Sequence, residues 1–121
     1  MGKKVLIVDD SASMRQMVNF TLSENGYEVI EAVHGKEGLH KLSDAEAGLI
    51  ITDINMPEMN GIEFIKAVRT DSKYKFTPII VLTTESEAAK QEEGKKAGAT
   101  AWLVKPFTPE KLLEVARKVG G

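Results

Sequence analysis

Apolar residues fall in short continuous runs that each close on polar residues: Val5-Leu6-Ile7-Val8, Leu49-Ile50-Ile51, Ile79-Ile80-Val81-Leu82 and Leu103-Val104. Continuous runs, in place of strict alternation, are the mark of parallel strands covered by helices on both faces. Glu28-Val29-Ile30-Glu31 is shorter and bounded by charge, which suits an edge strand. Helical periodicity fills the intervals. Met14, Met17, Val18, Thr21 and Leu22 keep the spacing of one helix face, and Asn25-Gly26 supplies a stop. Near the C-terminus Thr108 is a cap, Pro109 takes the first helical position, and Leu112, Val115, Ala116 and Val119 form the apolar stripe. Shorter helices fit residues 35–43, 61–70 and 87–97, with no linker, repeat or low-complexity stretch between them.

This alternation predicts an α/β fold of the (βα)5 kind, a doubly wound five-stranded parallel sheet with right-handed crossovers. With the charged strand at one edge, the natural strand order is 2-1-3-4-5. The order then reverses between strands 1 and 3, and a ligand is expected at the carboxyl ends of those strands.

Bulk properties narrow the function classes. A chain of 121 residues has room for one domain, and its balance of 16 basic and 18 acidic residues leaves neither a nucleic-acid-sized basic surface nor a polybasic membrane anchor. The absence of cysteine excludes disulfides, thiolate metal sites and thiol nucleophiles. The opening MGKKVLIVDD has an apolar run of four residues, too short for a signal peptide and far from the ~20 of a membrane span. A cytoplasmic location is expected.

The strand ends carry the chemistry. Strand 1 closes on Asp9-Asp10 and strand 3 on Asp53. Neighbouring strands lie about 4.8 Å apart, so three carboxylates should crowd one pocket. Their repulsion calls for an offset, and a hard divalent cation with oxygen ligands supplies it. Mg²⁺ suits the site because it keeps several waters, and the backbone carbonyl of Asn55 is placed as a further ligand. Taken singly, Asp10, Ser11 or Ser13 could equally cap the first helix. Strand 4 ends in Thr83, a hydroxyl donor, and strand 5 runs into Lys105, whose stem can reach back over two strands; Pro106 forces Lys105 into an extended conformation. Together these parts describe phosphoryl chemistry on a carboxylate, with Asp53 as nucleophile, Asp9 and Asp10 on the metal, and Lys105 and Thr83 on the phosphoryl oxygens. His34 and His40 are isolated surface candidates, Met56-Pro57 reads as a turn, and Gly61 stands at the next helix start.

The segments VLIVDDS, IITDINMPEMNGIE, PIIVLTTES and GATAWLVKPFTPE, in this order, resemble the receiver domain of two-component response regulators over essentially the whole chain. The closest likeness is the stand-alone, chemotaxis-type receiver, with a flavodoxin-like fold and residues 1–121 forming one receiver domain without an output domain. The resemblance implies that Asp53 accepts a phosphoryl group from a histidine kinase, that Asp10 and the Asn55 carbonyl ligate Mg²⁺ directly, and that Asp9 reaches it through water. It implies phosphoryl contacts from Lys105 and from Thr83, the switch hydroxyl, and an influence of Asn55 and Glu85 on hydrolysis. Such a protein is a switch that catalyses only its own phosphorylation and dephosphorylation. The expected output is altered affinity for a protein partner, with control of a flagellar motor switch following from the single-domain likeness; a monomer is the simpler expectation. Two positions depart from the family pattern: Thr84 stands where many relatives carry Ala or Gly, and Trp102 fills an aromatic switch position more often Tyr or Phe.

Residues 84–101 contain no Val, Ile, Leu, Met or aromatic side chain, and the helix among them carries Gly94. A mid-helix glycine costs about 1 kcal/mol relative to alanine. This weakly buried helix is therefore the element expected to shift, together with the loop after Thr83 and with Trp102, on phosphorylation. Three rival functions fit the chain less well. A Mg²⁺-dependent phosphohydrolase of small phosphate esters would use the same acids, but Asn55 stands where its second carboxylate is needed. In a flavin-binding electron carrier, Asp9-Asp10 would repel the flavin phosphate. A module that has lost phosphorylation fits poorly with intact acids, Thr83 and Lys105.

Overall fold

The computed structural model describes residues 3–54, 59–84 and 88–120. Strands β1 (Lys4–Val8), β2 (Glu28–Ala32), β3 (Leu49–Asp53), β4 (Ile79–Thr83) and β5 (Ala101–Val104) alternate with helices α1 (Ala12–Ser23), α2 (Gly35–Ala45), α3 (Gly61–Thr70), α4 (Ala88–Ala97) and α5 (Pro109–Gly120). A 3-10 turn, Ser72–Tyr74, precedes β4. All strand pairs are parallel and the order is β2-β1-β3-β4-β5, as the apolar runs predict. Several boundaries extend past the sequence expectation: β1 begins at Lys4, β2 runs on to Ala32, α2 continues to Ala45, and β5 begins at Ala101 because Ala101 and Trp102 pair with Ile80 and Val81.

Strand periodicity divides the interior into two layers. Leu6, Val8, Ile50, Ile79 and Val81 face one way, onto Phe64, Ile65 and Val68 of α3. Their neighbours Val5, Ile7, Leu49, Ile51, Ile80 and Leu82 face the other way, onto Val18 and Leu22 of α1 and Leu112 and Ala116 of α5. Every residue of β3 and β4 is buried, which explains why those runs show no polar alternation. The two edge strands, β2 and β5, are largely half-exposed.

Local chemistry sets the helix ends. Ser11 caps α1 by accepting the Met14 N–H, Asn60 and Glu63 form a reciprocal capping box on α3, and Thr108 accepts the Lys111 N–H ahead of Pro109. His34 is more than a surface residue: it is half-buried and caps α2, its Nδ1 accepting the Glu37 N–H at 3.1 Å. Gly26, after α1, takes φ +90°, the left-handed conformation that makes it a stop.

Arg69 closes the far end of α4. Its guanidinium donates to the Gly98 carbonyl through Nε (3.2 Å) and Nη2 (2.7 Å), and through Nη1 to the carbonyls of Tyr74 and Thr77. Burial lowers the pKa of this guanidinium from the usual arginine range. Tyr74 is buried, and its hydroxyl donates to the Leu42 carbonyl at 2.6 Å.

The Glu37 carboxylate has a lowered pKa, chiefly because the Val33 N–H donates to it at 2.9 Å, with Lys41 and His34 adding favourable charge. Its folded pKa lies below its unfolded one. It therefore stabilises the fold above the ordinary carboxylate range, and that contribution is lost as pH falls through the folded value. A pH series of urea midpoints should show a shallower acid-side decline in Glu37→Gln than in the wild type; parallel curves would mean that the α2 cap does not contribute to acid sensitivity.

Candidate functional site

The reversal of strand order places the C-terminal ends of β1 and β3 side by side, with Val8 opposite Thr52. The chain therefore delivers Asp9, Asp10 and Asp53 to one point, and an oxygen from each lies within 4.8 Å of the others. Asp9 is wholly buried and Asp53 nearly so, whereas Asp10 faces solvent. Backbone donors fix the two buried carboxylates. Oδ1 of Asp9 accepts the Ser11 N–H at 2.8 Å, and Oδ1 of Asp53 accepts the Ile54 N–H at 2.8 Å.

Lys105 supplies the local positive charge. It follows β5 directly, its N–H donates to the Thr83 carbonyl at 2.7 Å, and its bond to Pro106 is cis. Its Nζ stands 3.5 Å from Asp9 Oδ2 and 3.7 Å from Asp53 Oδ1, so one ammonium bridges the two buried acids. Thr83 is wholly buried at the end of β4, in register with Val104, the residue before Lys105. Asp53, Thr83 and Lys105 thus end three consecutive strands. Thr84, just beyond, is exposed. Trp102 lies elsewhere, half-buried against the layer that contains α3 and α4. Asn55, the Met56-Pro57 turn and Glu85 lie outside the described residues.

Two further parts complete the site. Arg15 of α1 donates through Nη1 to the Asp9 carbonyl at 2.6 Å and pairs through Nε with Glu31 at 3.1 Å. Asn19, one turn on, donates to the other Glu31 oxygen at 2.7 Å. This network ties the acidic turn after β1 to the edge strand. Gly61 is the second part. A Cβ there would collide with the Asp53 carbonyl oxygen and lie 2.7 Å from the Ile54 Cα, so only glycine lets α3 start this close to the acid-bearing strand end. Its N–H donates to the Ile54 carbonyl at 2.9 Å.

The donor set is all carboxylate oxygen, crowded and partly exposed, which fits a hard cation such as Mg²⁺ and leaves solvent access for a phosphoryl oxygen. The family model for the response regulator receiver domain matches residues 5–117. The chain belongs to that family. It is 49% identical to the chemotaxis protein CheY1 of Helicobacter pylori, over 98% of this chain and 97% of the relative. Identity to the chemotaxis protein CheY of Thermotoga maritima is 43%, over 98% of each. The structure of the chemotaxis response regulator CheY4 of Vibrio cholerae superposes with a TM-score of 0.95 at 56% identity, over 98% of this chain and 99% of that one. This receiver is accordingly a two-component response regulator of the chemotaxis type.

Two outcomes follow from the crowding at this receiver's site. In metal-free buffer, Asp10→Asn removes one of three repelling charges and should raise stability by on the order of 1 kcal/mol, read as a higher urea midpoint. An unchanged or lower midpoint would show that Asp10 is not repelled in the folded state. Gly61→Ala should lower stability by about 1–3 kcal/mol through backbone collision, a loss that added Mg²⁺ does not repair.

Proposed function

We propose that Asp53 is the phosphoacceptor of this receiver and that Asp9, Asp10 and Asp53, with the Asn55 carbonyl, hold Mg²⁺. The observation that carries this reading is the juxtaposition at the β1/β3 strand ends. Three acids share one point, and a lysine ammonium stands 3.7 Å from the one on the middle strand. Asp53 is the natural nucleophile. Its Oδ1 is engaged by a backbone N–H, which orients the carboxylate. Its oxygen forms the bond to phosphorus as the bond from phosphorus to the imidazole nitrogen of a histidine kinase breaks. A bound Mg²⁺ supplies charge to the phosphoryl oxygens. Lys105 neutralises a second oxygen, and the Thr83 hydroxyl, at the end of the neighbouring strand, donates to a third. Transfer takes Lys105 from a bridge between Asp9 and Asp53 to a partner of the new phosphoryl group.

In this reading the protein is a signalling switch rather than an enzyme acting on free substrates, and Asn55 and Glu85 govern access of the hydrolytic water. Thr83 and Trp102 report the modification to the surface of α4 and β5. A downstream protein partner, for which the flagellar motor switch is the candidate, reads that surface from a cytoplasmic monomer. Family membership favours this over a phosphohydrolase of small esters, which needs a carboxylate two residues after Asp53, where the sequence has Asn55.

Intact-mass measurement after incubation with acetyl phosphate and Mg²⁺ tests the assignment. The wild type should gain one phosphoryl group, the gain should vanish with chelator or in Asp53→Asn, and Lys105→Ala should slow it severely while leaving Mg²⁺ binding in place. Labelling that persists in Asp53→Asn would move the acceptor elsewhere.

A further inference from the structure

Gly94 sits inside α4, buried, on a helix whose other described side chains are mostly exposed. A glycine there weakens the helix, and an isolated one inside a helical pattern calls for a packing reason. The reason is the indole of Trp102. A Cβ on Gly94 would lie 2.6 Å from Trp102 Cζ3 and 3.1 Å from Cε3, closer than side chains pack. The six-membered edge of the ring therefore rests on the helix backbone itself.

The rest of α4 makes this contact consequential. Among its described residues, only Gly94 and Ala97 are buried. Its C-terminal turn closes at Gly94: the Gly94 carbonyl accepts the N–H groups of Gly98 and Ala99 at 3.1 and 3.0 Å. Beyond that turn Arg69 holds the Gly98 carbonyl. The helix is thus pinned at its C-terminal end, and the indole seat lies where the pinned turn begins. On the outer side Trp102 forms one wall of a small cleft with Gln91, Lys95 and Thr100.

We infer that Gly94 and Trp102 form a coupled pair, in which the missing side chain at position 94 sets the resting place of the indole and with it the shape of the α4–β5 surface. Any side chain at 94 meets the ring edge. The ring has two rotatable bonds and the pinned turn has none to spare, so the indole is the group that moves. Position 94 is then a positioning residue for the surface that the switch presents, a role that rests on the proposed phosphorylation-dependent output. The seat itself depends only on packing.

A double-mutant cycle separates the two. In a Trp102→Leu background Gly94→Ala meets no ring and should raise the folded-to-unfolded ratio roughly fivefold through helix propensity. With Trp102 present the same change should give no gain or a loss, and the indole emission should move to longer wavelength with stronger acrylamide quenching. Gly94→Ser should behave like Gly94→Ala. Equal stabilisation in both backgrounds, with unchanged emission, would overturn the inference, as would equal destabilisation, which would place the clash elsewhere. A second arm adds Mg²⁺ and beryllofluoride, with binding followed by ¹⁹F NMR. The wild type should bind and shift its Trp102 emission, whereas Gly94→Ala should bind with a changed emission response. Absence of beryllofluoride binding in the wild type would count against the phosphoacceptor reading and leave the seat to be judged by the cycle. Binding with identical emission responses in both proteins would detach position 94 from the switch.

Discussion

Three carboxylates held within 4.8 Å of one another repel, and much of this receiver is arranged to keep them together. The parallel sheet brings the ends of β1 and β3 side by side because the strand order reverses there. A buried core on both faces of β3 and β4 makes those strands rigid enough to bear the strain. The offsetting charge inside the protein is Lys105, whose ammonium touches Asp9 and Asp53 together. Under the proposed phosphorylation of Asp53, a site whose acids share one lysine can trade partners, and that exchange is the simplest source of a switch.

Around this centre the structure is stiff on one side and lightly held on the other. Asp9 is fixed by the Ser11 N–H, by Arg15 and, through Arg15, by Glu31 of the edge strand, which Asn19 of α1 also holds. Asp53 is fixed by Ile54 and by the close approach of Gly61. In contrast, α4 carries no large apolar side chain. Arg69 secures its end, and Trp102 lends the aromatic surface that the helix lacks. Burial per residue sets local stability, so a change at the strand ends finds its least resistance toward α4.

The amino-acid sequence by itself determined the architecture and that Asp9, Asp10, Asp53 and Lys105 meet at the strand ends. Apolar runs of strand length, a charged edge strand and helix-period stripes admit few arrangements, and the acids at two strand ends become neighbours in the one that follows. Helix caps were equally local: Ser11 and Thr108 each act within a single turn, and Asn60-x-x-Glu63 is a readable capping pattern.

What only the tertiary structure decided are contacts between residues distant in the chain with no periodic signature. Arg15 finds Glu31 and the Asp9 carbonyl, and Arg69 finds Gly98, because helices cross at particular heights over the sheet. His34 is a different case: its cap on the Glu37 N–H is local, but histidine is outside the usual cap residues and so carries no capping signature. Gly94 is the clearest case. As a letter in the sequence it is a helix-weakening residue, and only the approach of an indole from another strand turns the missing side chain into a fitted surface. Propensity and periodicity act over one or two turns and are written locally, whereas steric complementarity exists only once two remote segments meet.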